Sequence, residues 1–489
     1  MPVATFHCAG DRNHPRRPPA TFEPRRVHEV FHPPPPRGGR PPPPPGPVLA
    51  QSNPIVAGDL ELVTVTDRSA VLTWTTRAPD AGGRLLPVPT DGEVRLIPAD
   101  SPRAPVQAWA SDTRTPFHYA QLDGLEPGRR YRFEAWSQGV RAAPAVSLTT
   151  HLPGSPELLG EFTTLVPPPG RLLRTVALAN DVHFGEEVSG LVIGNLPPGF
   201  RQEPGLPPYP EVMLAALLDD LRRPDRDAGI VLLAGDLTSE ATPAETRGVR
   251  AQLDDWGTAG TDYLAVRGNH DRPHTGADYR DGPAVPGNDS HFDCWADEFG
   301  PRQQPVEHDL GGLRLIGLDT SELDGSGGTI EAPQFERLRE LLRAEPERPT
   351  LVFGHHPVTV ESGLTNTAGP GFVLNRRDSA QLQAMYERAP GVFLHHSGHT
   401  HRNRRTRPDA ACAVEFLEVA AVKEYPGGYS LLRIYEGGYM LNFYKTRTEH
   451  ARRWSTLTRG EYFGLFPDYT LGTFADRNHV VPQDFSGLH

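Results

Sequence analysis

Five short blocks of His, Asp and Asn occur in one order along this 489-residue chain. They are Asn-Asp-Val-His at 180–183, Gly-Asp at 235–236, Gly-Asn-His-Asp at 268–271, Gly-His-His-Pro at 354–357 and Gly-His-Thr-His at 398–401. A collection of carboxylate, amide and imidazole donors of this kind is what polynuclear metal chemistry asks for. Asp181 and His183 stand two residues apart, and on an extended exit from a strand both face one side, so one strand end can supply two ligands to one ion. His399 and His401 repeat that spacing. Asp236 brings a carboxylate whose two oxygens can bridge two ions, and Asn269 brings a neutral amide oxygen that holds a metal without adding charge. The glycines at 235, 268, 354 and 398 leave room for close approach of the backbone. A single Gly-Asp or Gly-His-x-His is unspecific, since either can be a turn; the ordered set points to two metal ions.

Such donors need a scaffold, and each block follows an apolar run that reads as a buried strand. The strand candidates are Arg174–Ala179, Ile230–Ala234, Tyr263–Val266, Leu313–Leu318, Thr350–Phe353 and Val392–Leu394. Helical patterns lie between them: Met213, Leu214, Leu217, Leu218 and Leu221 share one face, as do Phe335, Leu338, Leu341 and Leu342. Thr242 and Asp378 are the expected N-caps. Strands alternating with helices predict an α/β layered domain over 171–446, with ligands at the carboxyl ends of its strands. After 411 the pattern returns to hairpins, with turns at Pro426-Gly-Gly428 and Glu436-Gly-Gly438, expected to form a second sheet packed on the first. The remaining residues, 447–489, form a C-terminal extension whose polar and aromatic pattern assigns no fold.

Upstream, residues 52–166 change to short runs of period two separated by Pro/Gly/Asp turns, among them Leu60-Glu-Leu62, Ala70–Trp74, Glu93–Leu96 and Tyr131-Arg-Phe133. That is the signature of an all-β sandwich. Ser69–Trp74 resembles the second strand of a fibronectin type III module with its core Trp. Leu125–Phe133 resembles the turn and Tyr corner that lead into its sixth strand. Such a module implies a spacer or platform rather than chemistry. Pro167–Pro169 reads as a stiff hinge between this sandwich and the α/β domain. Residues 1–51, with the runs Pro33–Pro36 and Pro41–Pro45, offer little apolar surface and are expected to be a disordered or polyproline arm.

Composition narrows the function classes. No stretch of about 18 apolar residues exists to span a membrane. No apolar secretory segment opens the chain, and Cys8, Cys294 and Cys412 lie far apart, so a reducing, cytoplasmic setting is expected. A net charge of −12 disfavours a broad footprint on nucleic acid.

The five blocks resemble the calcineurin-like metallophosphoesterases, whose pattern is Asp-x-His, Gly-Asp, Gly-Asn-His-(Asp/Glu), His and Gly-His-x-His. The resemblance implies an α/β two-sheet sandwich flanked by helices, preceded here by the fibronectin-like sandwich. It implies that Asp181, His183 and His401 hold one ion and Asn269, His355 and His399 the other, with Asp236 bridging. The ions would be divalent or trivalent, with manganese, iron and zinc as the candidates. His355 rather than His356 matches the family's liganding His, two residues before the Pro, which leaves His356 as an orienting group. His270 would stabilise charge on the phosphate or protonate the leaving oxygen, with Asp271 orienting it. The implied reaction is hydrolysis of small phosphodiesters, such as cyclic nucleotides, or of phosphomonoesters by a metal-bridging hydroxide.

A sandwich ahead of the catalytic region resembles the purple acid phosphatases. Their tyrosinate ligand, however, would fall at Ser239, and their first block lacks an equivalent of His183, so a ferric-tyrosinate site is rejected. His183 and Gly-Asn-His-Asp followed by Arg272 look more like the class III cyclic-nucleotide and glycerophospho-diesterases. A nuclease of the same fold, and a non-catalytic surface protein working through its sandwich and arm, are the competing readings. The segment Glu186–Pro210 is a Gly/Pro-rich insertion placed to act as a lid or specificity wall, and His291, His395 and His396 read as strand or loop residues.

Overall fold

The computed structural model describes residues 55–147, 152–190, 199–406 and 413–488. The arm 1–51, Cys8, Cys412 and residues 191–198 of the insertion lie outside the described residues. Two six-stranded mixed sheets form the centre of the molecule. In the first the order is Tyr263–Val266, Ile230–Ala234, Leu172–Ala179, Gly428–Tyr435, Gly438–Lys445 and Asn478–Pro482. In the second it is Val306–Leu310, Leu313–Leu318, Thr350–Gly354, Val392–Ser397, Glu415–Glu418 and Arg404–Thr406.

Period-two alternation decides which face goes where. Val176, Leu178, Ile230 and Leu232 turn inward onto Leu315, Leu351 and Phe353 of the second sheet, and this interlayer core is fully buried. Their neighbours Ala177, Val231 and Leu233 turn outward, onto Met213, Leu217 and Val249 of helices Tyr209–Leu221 and Pro243–Asp254. On the other side Ile316, Leu318 and Val352 meet Leu338 and Leu382 of helices Ala332–Ala344 and Arg376–Tyr386. The result is a mixed α/β fold in four layers: helix, sheet, sheet, helix.

Thr242 caps its helix as expected, in a full capping box with Glu245. Asp378 does not. The cap is Asn375, whose side chain accepts from the amides of Arg377 and Asp378, while the Asp378 carboxylate accepts from Ile330 N and Thr329 Oγ1. The late hairpin also departs from expectation. Gly428–Tyr435 pairs antiparallel with Leu172–Ala179 and so widens the first sheet; the second sheet is built around the strands at 313, 350 and 392, which Glu415–Glu418 joins. Beyond 446, helix Glu449–Thr458 packs Trp454 into the outer core, and Asn478–Pro482 forms the sheet's last strand.

Residues 56–141 form two antiparallel sheets around Trp74, Val94, Leu96 and Phe133. Trp74 Nε1 donates to Ser137 Oγ at 3.0 Å, and Glu126 N donates to Tyr131 OH at 3.0 Å. This sandwich is joined to the central sheet through buried polar contacts: Asn442 Nδ2 donates to Val65 O at 2.7 Å, and Val65 N to Asn478 Oδ1 at 2.9 Å. Glu61 lies between Lys445, Arg459 and Tyr425. Among the described residues no helix is long and apolar enough to cross a membrane.

Candidate metal centre

All five blocks sit just past the carboxyl ends of parallel strands, and hydrogen bonds lace their turns together there, within each sheet and from one sheet to the other. Asp181 N donates to Gly235 O at 3.0 Å, Gly398 N to His355 O at 3.0 Å, and the His355 ring reaches Ala234 O through Nδ1 at 2.8 Å. The expected extended exits are not what brings paired ligands together. Asp181, His183, Asp236, His399 and His401 all adopt left-handed backbone conformations, with φ of 55°, 52°, 52°, 67° and 54°. Such conformations cost about 1–3 kcal/mol each in a residue with a Cβ, and cluster where a site over-determines them. Here Val182 N and His183 N both donate to Asp236 O, and His399 N donates to Asp181 Oδ2 at 3.0 Å. Tight turns, not strand alternation, aim both members of each i, i+2 pair inward.

Gly268 is obligatory at its position, because a Cβ there would lie 2.1 Å from Asp236 Oδ1 and 2.4 Å from Asp236 N. At Gly398 a Cβ would come within 2.7 Å of Asp181 Oδ2.

The donor atoms gather into two linked groups. In one, His401 Nε2 is 3.1 Å and His183 Nε2 3.8 Å from Asp181 Oδ1. In the other, His355 Nε2 lies 3.1 Å from Asn269 Oδ1 and 3.0 Å from His399 Nδ1. Asp236 stands between them, its Oδ2 at 3.0 Å from His355 Nε2 and 3.6 Å from His183 Nε2. The fit to cations rests on polar atoms left over: both ring nitrogens of His183, Nε2 of His399 and Nε2 of His356 are buried with no hydrogen-bond partner. Orphaned imidazole nitrogens beside two carboxylates are costly unless something electrophilic occupies the space between them.

His356 shares a possible ligand group with His355 and His399, although its Nδ1 is engaged with Thr320 Oγ1 at 2.8 Å. His291 pairs with Asp324, His395 with Tyr386 OH, and His396 Nε2 sits 3.5 Å from Ala179 O; none of the three belongs to a donor group among the described residues.

Protons balance these charges when cations do not. Burial pushes the His355 ring down, but the Asp236 carboxylate overcomes this and raises it to about 9. Burial likewise opposes His401, which Asp181 and Glu424 hold well above the ordinary imidazole range. Asp181 and Asp236 are held well below theirs, against burial, by His401 and His355 respectively. His399 is driven well down by burial and by His356.

His270 is half-buried at the edge of this cluster, its ring centroid 4.5 Å from that of His183. Its backbone N donates to Asp236 Oδ1 at 2.8 Å, and its ring Nδ1 lies 2.6 Å from Ser239 O. Asp271 does not orient that ring. Its carboxylate accepts from Leu237 N, Thr238 N, Thr238 Oγ1 and Gly268 N, so it ties the Gly-Asp turn to the Gly-Asn-His-Asp turn. The Ser239 carbonyl does the orienting, a backbone role that no side-chain motif signals.

Residues 174–403 match the family model of the calcineurin-like phosphoesterases. That region is a calcineurin-like phosphoesterase domain. The chain is also similar to a probable cyclic nucleotide phosphodiesterase of Synechococcus sp., 27% identical over 188 residues, which is 38% of this chain. The match spans 63% of that relative's length. A purple acid phosphatase from yellow lupin (Lupinus luteus) seeds aligns over 89% of this chain and 76% of its own, at 15% identity and a TM-score of 0.42. A dimetal phosphatase from Danio rerio aligns over 56% of this chain and 96% of its own, at 14% identity and a TM-score of 0.41. Structural likenesses of that strength add nothing beyond the domain match. Two contacts of the phosphoesterase site carry no sequence signal: Glu424, whose Oε1 is 2.6 Å from His401 Nδ1, and Phe372, stacked on His399 with centroids 3.7 Å apart.

Proposed function

We propose that this protein is a metal-dependent phosphoric ester hydrolase with two metal ions, acting on small phosphodiesters of the cyclic-nucleotide kind or on phosphomonoesters. The observation that carries this reading is the pair of donor groups joined at Asp236, with unpartnered imidazole nitrogens between buried carboxylates. Asp181, His183 and His401 would hold one ion, Asn269, His355 and His399 the other, and Asp236 both. Bound there, two cations would supply an activated water and neutralise charge on the phosphate. The chain's own residues do the rest. Asp271 locks the two turns that carry Asp236 and Asn269. Ser239 O accepts the Nδ1 proton of His270, which leaves Nε2 as the position from which a proton can pass to the departing alcohol oxygen. The diester preference is supported by the Synechococcus relative, named as a probable cyclic nucleotide phosphodiesterase. Residues 52–166 would be a fibronectin-like platform, as their Trp74 core and the Tyr131 contact suggest.

Elemental analysis after mild reconstitution, combined with a panel of chromogenic mono- and diesters, tests the proposal. Two ions per chain and hydrolysis of at least one ester class are expected. One ion or none with activity intact, or two ions and no hydrolysis, would overturn it.

A further inference from the structure

A metal-bound imidazole works through one nitrogen, and the partner of the other nitrogen decides its tautomer, its orientation and its basicity. Among the histidines assigned to the two ions above, the second nitrogens have unequal partners. His355 Nδ1 faces the neutral carbonyl of Ala234, and His183 Nδ1 has no hydrogen-bond partner. His401 Nδ1 instead meets a carboxylate, Glu424 Oε1, at 2.6 Å. Glu424 is only 2% exposed, and its other oxygen accepts from Ser189 Oγ at 2.8 Å and lies 3.1 Å from Lys423 Nζ. Lys423 Nζ reaches Glu186 Oε2 at 2.6 Å, and Glu186 also accepts from Tyr209 OH at 2.6 Å. Glu186 and Ser189 stand three and six residues after His183, so the loop leaving the first ligand pair returns to brace the last ligand.

We infer that Glu424 is the positioning residue for His401, held by Ser189 and the Lys423–Glu186 pair, and that it turns His401 Nε2 toward Asp181 and strengthens it as a ligand. This rests on the two-metal reading above. A carboxylate at Nδ1 keeps the proton there and leaves the Nε2 lone pair, 3.1 Å from Asp181 Oδ1, for the ion. It also makes the imidazole a stronger donor than a neutral carbonyl would. The charge survives burial because Lys423 sits against it. Glu461, the other buried carboxyl here, is pushed up to about 9 by burial and by Glu424, so it adds no competing negative charge at neutral pH. On this reading the start of the 186–210 insertion is part of the metal centre's support.

The test uses the full chain loaded with cobalt(II). Titration of wild type should resolve two ions. Glu424→Gln should keep the shape of the carboxylate but lose its charge, so one ion should bind roughly 10–100-fold more weakly while the other stays within about twofold. The hyperfine-shifted, solvent-exchangeable imidazole N–H resonance of His401 should move in the same variant. Ser189→Ala leaves the charge and removes one brace, and should shift the same ion by a few-fold; it carries the test if Glu424→Gln does not fold. Unchanged affinity for both ions with an unmoved resonance, or equal weakening of both, overturns the inference. Failure of the wild type to take up two ions would instead defeat the two-metal reading itself.

Discussion

Glu61→Gln probes what joins the N-terminal sandwich to the residues around Tyr425, Lys445 and Arg459 that pack against it. Glu61 is 1% exposed, accepts from Tyr425 OH at 2.7 Å, and pairs with Lys445 and Arg459. Burial pushes its carboxyl up, but Lys445 and Arg459 overcome this and bring it from an ordinary 4.5 to about 2. At 1.36 kcal/mol per pH unit, that displacement corresponds to about 3 kcal/mol of stability at neutral pH. Breaking a buried ion pair from one side costs about 3–5 kcal/mol, which agrees at its lower end. The upper end is not reached, because burial already holds Lys445 near 8, and without Glu61 it can shed its proton at neutral pH. The sign comes from the direction of the shift. A carboxyl depressed in the folded state contributes its full stability above 4.5, and loses it as pH falls toward about 2. Urea unfolding of wild type and variant, monitored by Trp fluorescence from pH 7 to pH 2.5, should therefore show a gap of about 3 kcal/mol at pH 7 that closes below pH 4.5. A gap under about 1 kcal/mol at pH 7, or one that stays constant down to pH 2.5, would refute the reasoning.

Protonation of the donor groups predicts a pH-linked metal affinity. His355, raised to about 9, is protonated below that value, so an ion reaching its Nε2 must displace a proton. Calorimetry in buffers of different ionisation enthalpy should show proton release at pH 7.5 and an affinity that rises with pH until about 9; titration without proton release would contradict the assignment. The same shift stabilises the metal-free fold below about 6.5 and is lost as pH rises through about 9. His270→Ala should retain both ions, since its Nδ1 is tied to Ser239 O and His183 and Asp236, the donors grouped with its ring, stay in place, while turnover falls by roughly 10²–10⁴-fold. The loss should shrink for nitrophenol leaving groups; an emptied site, or equal slowing of good and poor leaving groups, would remove the general-acid role.

The donor chemistry of this protein, and the order in which the chain delivers it, were legible in the sequence because both are local. Ile230–Ala234 is a continuous apolar run that can only be a buried strand here, and Gly235-Asp236 has to sit where that strand ends. Thr242 with Glu245 three residues on is a cap that needs nothing beyond its own helix. Sheet membership was not local: the 428–445 hairpin announced two strands, but its pairing with Leu172–Ala179 depends on which edge remained open after the other strands had paired. Asp378 looked like a cap until the Thr329–Ile330 segment, folded against it, claimed its carboxylate and left the cap to Asn375. Residue types at 181, 183, 236, 399 and 401 announced candidate ligands, yet their left-handed turns are held by hydrogen bonds to neighbouring turns of the same sheet and of the facing one, which no period in the chain encodes. Glu424 stands 23 residues after His401 and 235 after Ser189, and nothing about its neighbours marks it. By itself the sequence determined which residues could hold metals. Which imidazole nitrogen faces inward, and which carboxylate braces it, only the tertiary structure decided, because those choices are made by partners that meet when the two sheets close on each other.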